Sequence, residues 1–222
     1  MTEGVKDQPG GKRAYDSSRR LEQAAATRRA VLTAASELFI DRGYSATTIA
    51  EIAGRAQVSI DTVYATVGRK PALLRELVEL AISGTEQPVP AEQRDYVIRI
   101  ATASTARAKL TSYAQAITAI QRRMAPIFVA LRDAAATDHD CAALWTEIAE
   151  RRAANMRLFA ADLRGTGELR ADLSDDQVAD IIWSMNATEY WVLLVHERGW
   201  TSGQFEAWLT DAWIRLLVAP RS

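Results

Sequence analysis

The chain of 222 residues contains a single cysteine, Cys141. No intramolecular disulfide can form, which fits a protein of a reducing cytoplasm. No run of about 18 apolar residues occurs, as a membrane-spanning helix would require. The N-terminus also lacks the apolar stretch of a signal peptide. We therefore expect a cytoplasmic protein without a membrane segment.

Catalytic and metal-binding patterns are also missing. The two histidines, His139 and His196, lie far apart in sequence. His139, Asp140 and Cys141 are consecutive, so a helix would not place them on one face. Metalloprotease, serine-hydrolase, P-loop and dinucleotide-binding motifs do not occur. We expect no metal site, no cofactor and no enzymatic activity.

The composition is ordinary for a globular protein, with 48% hydrophobic and 25% charged residues. The formal net charge is −1, so the chain as a whole is not a polycation. Charge is unevenly placed, because residues 1–80 carry a net charge of +2 and the remaining residues carry −3. This asymmetry favours the N-terminal part as a nucleic-acid-binding face.

Helical periodicity runs through most of the chain, and no segment is typical of a strand. The sequence therefore predicts an all-α fold. A first helix is expected from near Ser18 to Arg42, with Gly43 as its left-handed cap. The helical pattern continues through residue 83 and then breaks at Pro88 and Pro90, where we place a domain boundary.

Three parts follow from these boundaries: an arm over 1–20, an N-terminal domain over 21–83 and a C-terminal helical domain over 91–218. The arm is polar and is expected to be disordered. Its basic residues could track phosphates or enter a minor groove, or the arm could be a solubilising tail. These basic residues are Lys12, Arg13, Arg19 and Arg20.

Two short helices joined by a tight turn are predicted within residues 48–67. Thr48 and Glu51 have the spacing of a capping box. Ile49, Ile52 and Ala53 form an apolar stripe at helical spacing. The same pattern would fit a helical hairpin in an ordinary bundle, because helix connections are usually short.

The second helix of this pair begins after the turn at Gln57 and is capped by Ser59. Its outward face carries hydroxyls, a carboxylate and a phenol rather than a plain charged surface. These residues are Ser59, Asp61, Thr62, Tyr64 and Thr66. In a helix-turn-helix, the second helix places such residues in the major groove.

Residues 28–82 resemble the DNA-binding domain of the tetracycline-repressor (TetR) family. The matching segments are AVLTAASELFIDRGY from Ala30 to Tyr44 and IAGRAQVS from Ile52 to Ser59. Val63-Tyr64 and Gly68-Arg69-Lys70 follow in the family's order. Two positions depart from the family, since Gln57 replaces the usual glycine of the turn and Val67 replaces an aromatic residue.

The resemblance implies a three-helix helix-turn-helix domain followed by a helical bundle for ligand binding and dimerisation. The expected partner is a palindromic operator in double-stranded DNA, read by a dimer. From the resemblance and the outward face of the second helix, we predict DNA contacts. They are expected from Arg28, Thr47, Thr48, Ser59, Ile60, Asp61, Thr62, Tyr64, Thr66 and Lys70.

A helix over 178–195 is predicted, and 13 of its 18 residues are apolar. A helix that is apolar nearly all round must be covered on more than one side. A second copy of the chain could supply that cover, although one monomeric core would also account for the pattern. The predicted interface residues are Trp183, Trp191, Leu194, Trp208 and Trp213.

The remaining C-terminal segments are predicted to be helical over 96–103, 106–119 and 120–136, with Pro126 starting or kinking the last. Large or polar residues on their apolar faces are typical of a pocket between helices. The candidate ligand contacts, expected to bind an apolar effector, are Tyr113, Gln121, Met124, Phe128, Trp145, Asn186 and Tyr190.

The sequence is thus interpreted as a ligand-responsive DNA-binding transcriptional regulator, a repressor released by a small molecule. The resemblance implies that the effector moves the helix after Lys70 and so changes the spacing of the two recognition helices. The alternative is an all-helical carrier or enzyme that keeps the N-terminal fold without reading DNA.

Overall fold

The computed structural model describes residues 10–85 and 89–220, with side chains from residue 19 onward. Its contacts divide the chain into two compact units, Met1–Leu73 and Leu74–Ser222. The described residues form ten α-helices and no strand, which confirms the predicted all-α class. Residues 1–9 of the predicted arm and Pro88 lie outside the described part.

The N-terminal unit contains helices α1 (Gly10–Arg42), α2 (Ile49–Ala56) and α3 (Ile60–Thr66), and the first residues of α4 (Lys70–Ser83). Helix α1 begins at Gly10 and not near Ser18, so the expected disorder is wrong from Gly10 onward. The segment after Gly11 is rich in Arg, Ala, Glu and Leu, which are good helix formers. Gly43 ends the helix with a φ of 81°, as predicted.

The core of this unit is the inner face of α1 closed by α2 and α3. The apolar side of α1 is buried, and the Phe39 ring packs at 5.4 Å against Tyr44. Ile52 of α2 and Val63 of α3 are fully buried. The buried α1 residues are Val31, Leu32, Ala34, Ala35, Leu38 and Phe39. This packing fixes α3 with its opposite face outward.

The C-terminal unit contains the rest of α4, a 3₁₀ turn (Ala91–Gln93) and six further α-helices. These are α5 (Asp95–Thr102), α6 (Ala106–Ala135), α7 (His139–Arg164), α8 (Asp175–Met185), α9 (Thr188–Trp191) and α10 (Ser202–Leu217). A π-helical segment (Val192–Glu197) continues α9. The N-caps Asp138, Ser174 and Thr201 all accept backbone hydrogen bonds at the starts of their helices.

Helix α6 runs without interruption through Pro126, so the two segments predicted over 106–136 are one helix. Proline removes one backbone hydrogen bond and normally breaks a helix interior. Here the flanking residues Ala125, Ile127 and Phe128 are buried, and their packing holds the helix together. Tertiary contacts therefore override the local preference.

The single helix predicted over 178–195 is wrong, because α8 ends at Met185 and α9 starts at Thr188. Ala187 between them is extended, with φ −64° and ψ 143°. Asn186 lies in the break and is buried, with polar partners on α6 and α7. Those side-chain bonds stabilise an interruption that the apolar pattern did not predict.

The division between the units falls inside α4, between Leu73 and Leu74, and not after residue 83 as predicted. The reason is that the later turns of α4 bond to the C-terminal helices. Arg75 makes two hydrogen bonds to Glu147 of α7, at 2.6 and 2.7 Å. Arg123 of α6 donates to the carbonyl of Ala81 at 2.8 Å.

Candidate functional site

Helix α2 begins with the capping box that the sequence predicted. The Thr48 hydroxyl accepts from the Glu51 N–H at 3.2 Å, and the Glu51 carboxylate accepts from the Thr48 N–H at 2.9 Å. The backbone N–H of Thr48, then its hydroxyl, lowers the pKa of the Glu51 carboxyl. These bonds satisfy N–H groups that a helix start leaves without intrahelical partners.

The turn between α2 and α3 depends on Gln57, whose φ of 55° and ψ of 42° are left-handed. Its N–H donates to Gly54 at 3.2 Å, and the N–H of Val58 donates to Ala53 at 3.0 Å. These bonds close the end of α2 and reverse the chain tightly. The predicted left-handed turn is therefore present, with a side chain in place of glycine.

Helix α3 presents the outward face expected of a recognition helix. Ser59 caps it by accepting from the Thr62 N–H at 3.1 Å. Tyr64 is 50% exposed and Ile60 is 45% exposed, whereas Val63 on the opposite side is fully buried. Asp61 is also exposed. A face with exposed hydroxyl, carboxylate, phenol and aliphatic groups can offer both polar and apolar contacts to base edges.

Thr47 does not belong to this surface, and its predicted DNA contact is wrong. The residue is 1% exposed. Its hydroxyl donates to the carbonyls of Gly43 and Leu38 at 2.9 and 3.2 Å. The side chain therefore fixes the loop between α1 and α2, whereas the neighbouring Thr48 remains exposed.

The ammonium of Lys70 binds within the N-terminal unit. Its Nζ donates to the carbonyls of Tyr44 and Thr47 at 2.8 and 2.9 Å. It also lies 4.1 Å from the centre of the Tyr44 ring, a cation–π contact. These contacts tie the start of α4 to the α1–α2 loop and give Lys70 a positioning role that the sequence did not predict.

Arg28 connects α1 to the end of α3. Its Nη1 donates to the carbonyl of Thr66 at 2.9 Å, and the residue is exposed. The bond satisfies a carbonyl at the C-terminus of α3 and places positive charge where the helix dipole favours it. An arginine predicted only as a DNA contact thus also anchors the recognition helix.

A cavity of about 290 Å³ lies among the helices of the C-terminal unit. Four of the predicted ligand contacts line it: Tyr113, Gln121, Met124 and Asn186. The other three are elsewhere. Phe128 and Trp145 pack their rings together at 4.8 Å, and Tyr190 packs at 5.6 Å from Trp208.

A buried polar network surrounds Asn186 at the wall of this cavity. Its Nδ2 donates to the Tyr113 hydroxyl at 2.8 Å, and its backbone carbonyl accepts from Gln121 Nε2 at 2.8 Å. Its Oδ1 accepts from Arg152 Nη2, which also donates to the carbonyl of Trp183 at 3.0 Å. Burial raises the pKa of the Tyr113 hydroxyl far above its ordinary value, so the phenol stays neutral.

Arg151 and Arg152 both line the cavity, and sequence reasoning missed them. Two arginines that follow a glutamate on a helix are typical of a solvent-exposed face. Asn186 is the sequence feature that could have pointed to Arg152. A buried amide needs hydrogen-bond partners, and Arg152 supplies one. Only the fold brings residues 152 and 186 together.

Ion pairs join α4 to α7 beside the cavity. Arg151 binds Glu79 at 2.7 Å, and Arg75 binds Glu147 at 2.6 Å. The Arg75 guanidinium lowers the pKa of the Glu147 carboxyl. Ile82, one turn beyond Glu79 on α4, lines the cavity directly. Helix α4 thus contributes Ile82 to the cavity wall and is joined by ion pairs to α7, which forms another part of that wall.

Two of the predicted dimer contacts are core residues of the C-terminal unit. Trp213 is fully buried, with its ring stacked at 5.4 Å on Tyr113, and Trp191 packs at 5.0 Å against Phe205. Their interface assignment is wrong, because the unit's own helices cover them. Trp183, Leu194 and Trp208 remain partly exposed.

The described residues lack two other features, a metal site and a membrane-spanning helix. They contain no group of three or more His, Cys, Asp or Glu side chains arranged to hold a metal ion. No helix among those described is long and apolar enough to cross a membrane.

The geometry of α2 and α3 defines a helix-turn-helix protein. Residues 31–77 match the family model described as bacterial regulatory proteins, tetR family. This match confirms the resemblance to the tetR family that was drawn from the motifs of the N-terminal domain. No curated protein matches the sequence.

Solved structures share the fold over most of the chain. One is NalD, the secondary repressor of the MexAB-OprM multidrug efflux pump in Pseudomonas aeruginosa. It is 19% identical, with a TM-score of 0.67 over 90% of this chain and 100% of that chain. A protein of Saccharomonospora viridis in complex with choline is 19% identical, with a TM-score of 0.65 over 87% and 98%. The SmeT–triclosan complex is 18% identical, with a TM-score of 0.64 over 87% and 92%.

Proposed function

We propose that this protein is a transcriptional repressor that binds a palindromic operator as a homodimer in the cytoplasm and is released by a small molecule. The outward face of α3, capped by Ser59 and anchored by Val63, carries this proposal. A two-fold dimer presents two such helices to successive major grooves, which explains why the operator should be palindromic.

The cavity supports the ligand-responsive part of the proposal. Its volume of about 290 Å³ is close to the lower end of small-molecule sites, about 300–1,000 Å³. Similar folds have been solved with choline and with triclosan, so small molecules bind proteins of this architecture. An effector must bind the DNA-competent and released states with different affinity in order to act.

Helix α4 transmits ligand binding in the cavity to the DNA-binding helices. Its later turns hold Glu79, which binds Arg151 of the cavity wall, and its first residue, Lys70, binds the α1–α2 loop. A ligand that displaces Ile82 or Arg151 shifts α4, and the shift changes the separation of the two recognition helices in the dimer. DNA affinity then falls by linkage.

Exposed apolar side chains near the C-terminus support the dimer. Leu193 is 49% exposed, Leu216 is 41% exposed and Tyr190 is 37% exposed, and Trp208 beside Tyr190 is partly exposed. Clusters of apolar side chains of this kind mark protein interfaces. Closed two-fold dimers are the commonest oligomers.

Genomic DNA capture tests the DNA-binding function. Fragmented genomic DNA is incubated with the full chain, bound fragments are sequenced, and the enriched site is footprinted. We expect a two-fold symmetric site of two half-sites. The Tyr64→Ala variant should lose the enrichment, while Ile98→Ala, which changes an exposed side chain of α5, should keep it. Equal capture of all fragments by the wild type would contradict sequence-specific regulation.

A further inference from the structure

The cavity wall has a one-sided charge. Among the described residues that line it, the charged ones are Arg94, Arg151 and Arg152, and none is a carboxylate. The rest of the wall combines apolar side chains with neutral polar groups such as Tyr113 and Gln121. Positive charge inside a partly desolvated site requires a counter-charge.

Of these three arginines, only Arg151 has a charged partner among the described residues. Arg151 is neutralised by Glu79 at 2.7 Å. Arg94 donates from Nε to the carbonyl of Val89 at 3.0 Å. Neither contact supplies Arg152 with a counter-charge.

Arg152 has hydrogen bonds but no ion pair with any described carboxylate. Its Nη2 donates to the carbonyl of Trp183 and to Oδ1 of Asn186, and its guanidinium lies 5.2 Å from the Trp183 ring. All these partners are neutral. Burial lowers the pKa of Arg152, with the Tyr113 phenol and Glu189 opposing the shift, yet an arginine remains charged at any physiological pH.

Another part of the wall is apolar. Ile117, Ile120 and Met124 of α6 and Ile148 of α7 line the cavity there. A ligand that matches both parts has a negatively charged head and an apolar body. Guanidinium groups bind carboxylates through charge-assisted hydrogen bonds, which are stronger than those between neutral groups.

We propose that the effector is an organic carboxylate with an aryl or medium-length alkyl body, and that Arg152 binds its carboxylate. This inference rests on the proposed function, since it names the ligand class of the same cavity. It also replaces the apolar effector expected from the sequence. Nε or Nη1 of Arg152 donates to the carboxylate while Nη2 keeps its bonds to Trp183 and Asn186.

Paired ligands test the charge preference. Phenylacetate, indole-3-acetate and octanoate are compared with their primary amides by calorimetry and thermal shift on the full chain. The amides keep the shape and remove the charge. We expect at least one carboxylate to bind about tenfold or more tightly than its amide, because hydrogen bonds to charged groups are the stronger ones.

Variants assign that preference to one side chain. Arg152→Gln removes the charge and should reduce the acid-to-amide ratio to near one, whereas Arg152→Lys should retain part of it. Arg157→Gln removes a charge from an exposed position of the same helix and should leave the ratio unchanged. Circular dichroism confirms that each variant is folded.

The outcomes separate this inference from the proposed function. Amides that bind as well as acids, a ratio unaffected by Arg152→Gln, or no binding by any of the three acids would overturn the anion site. An amide that binds and releases the protein from operator DNA would also overturn the anion site, but it would support the proposed ligand-responsive repression. Acids that bind through Arg152 without releasing DNA would uphold the site and contradict ligand-responsive repression.

Discussion

Arg151 lines the C-terminal cavity and at the same time forms a 2.7 Å ion pair with Glu79 of helix α4. A second pair, Arg75–Glu147, joins the same two helices, but neither of its residues lines the cavity. The two pairs are therefore a matched set. The Arg151–Glu79 pair is placed to respond to a ligand, and the Arg75–Glu147 pair is a structural contact of similar chemistry.

Glu79→Gln should weaken the effect of a ligand on DNA binding without abolishing ligand binding. The substitution removes the charge that couples Arg151 to α4. Because both side chains are partly exposed, the pair contributes at most about 1 kcal/mol, so the protein should stay folded. The measurement is the ratio of operator affinities with and without a saturating ligand. Glu147→Gln is the control and should leave that ratio at the wild-type value; equal losses in both variants would count against a special role for Arg151.

Lys70→Ala should destabilise the N-terminal unit. Two hydrogen bonds from the ammonium to the carbonyls of Tyr44 and Thr47 are lost, and bonds to charged groups contribute about 1.5–3 kcal/mol. Chemical denaturation followed by circular dichroism measures the loss. A variant as stable as the wild type would show that these bonds contribute nothing.

The same variant tests whether the predicted DNA contact of Lys70 is a bond to a phosphate. Because its ammonium is engaged by backbone carbonyls, we expect weaker binding to operator and random DNA alike with little change in salt dependence. Loss of a phosphate contact would instead reduce the slope of log K against log salt by about 1 per site. Titrations at several salt concentrations distinguish the two roles.

Gln57→Gly should stabilise the helix-turn-helix by up to about 1 kcal/mol, because a left-handed backbone costs a residue with a Cβ roughly that much. Gln57 has a φ of 55° and an exposed side chain, so glycine relieves strain without removing buried contacts. Thermal unfolding compares it with Gln57→Ala, which keeps the Cβ and should show no gain. A lower melting temperature for the glycine variant would mean that the flexibility glycine adds to the unfolded chain costs more than the relieved backbone strain contributes.

Local signals predicted the N-terminal domain well because its structure is decided locally. The capping box at Thr48, the cap at Ser59 and the left-handed turn at Gln57 each depend on residues within four positions. Thr47 and Lys70 were misjudged for the opposite reason. Their partners, Leu38 for one and Tyr44 for the other, are distant in sequence and are brought near by folding.

The C-terminal unit was harder to predict, since tertiary contacts decide its breaks. Pro126 continues a helix that its neighbours bury, and Asn186 interrupts one that looked continuous. Four of seven predicted ligand contacts line the cavity because large or polar residues on apolar faces mark such sites. Arg152 was not predicted because its partners, Trp183 and Asn186, lie about thirty residues away in the sequence.

Charge substitutions on the exposed apolar residues should break the proposed dimer without unfolding the protomer. Leu193→Glu and Leu216→Glu each place a charge on a partly exposed surface near the C-terminus. We expect light scattering to show monomers at micromolar concentration, with helical circular dichroism retained. Leu158→Glu, on an exposed leucine of α7, is the matched control and should remain dimeric.

Trp213→Glu tests whether Trp213 is a core residue of the protomer or a residue of the dimer interface. Trp213 is fully buried and stacks on Tyr113, so an unpaired charge there should unfold the protomer itself. Loss of helical circular dichroism, not merely a monomeric mass, is the expected result. A folded Trp213→Glu monomer would instead restore the residue to the interface.

Tyr64 should contribute to sequence preference rather than to stability. Its side chain is 50% exposed on α3, while the adjacent Val63 holds the helix in the core. Tyr64→Ala should cost about 1–3 kcal/mol more on the operator than on random DNA, which is the discrimination of a direct base contact. Its melting temperature should remain near the wild-type value. Tyr64→Phe retains the ring and shows whether the hydroxyl reads the base.

Thr62 is predicted to contact DNA together with Tyr64, and in the structure it also contacts the N-terminal cap of α3. Its hydroxyl lies 2.8 Å from that of Ser59, which caps α3. Thr62→Ala should therefore reduce operator preference and also slightly lower stability, whereas Thr62→Ser keeps the hydroxyl and should restore the stability. Titration of all four variants on operator and random DNA decides the orientation of α3. If Tyr64→Ala and Thr62→Ala leave sequence preference intact, then another face of α3 reads the DNA.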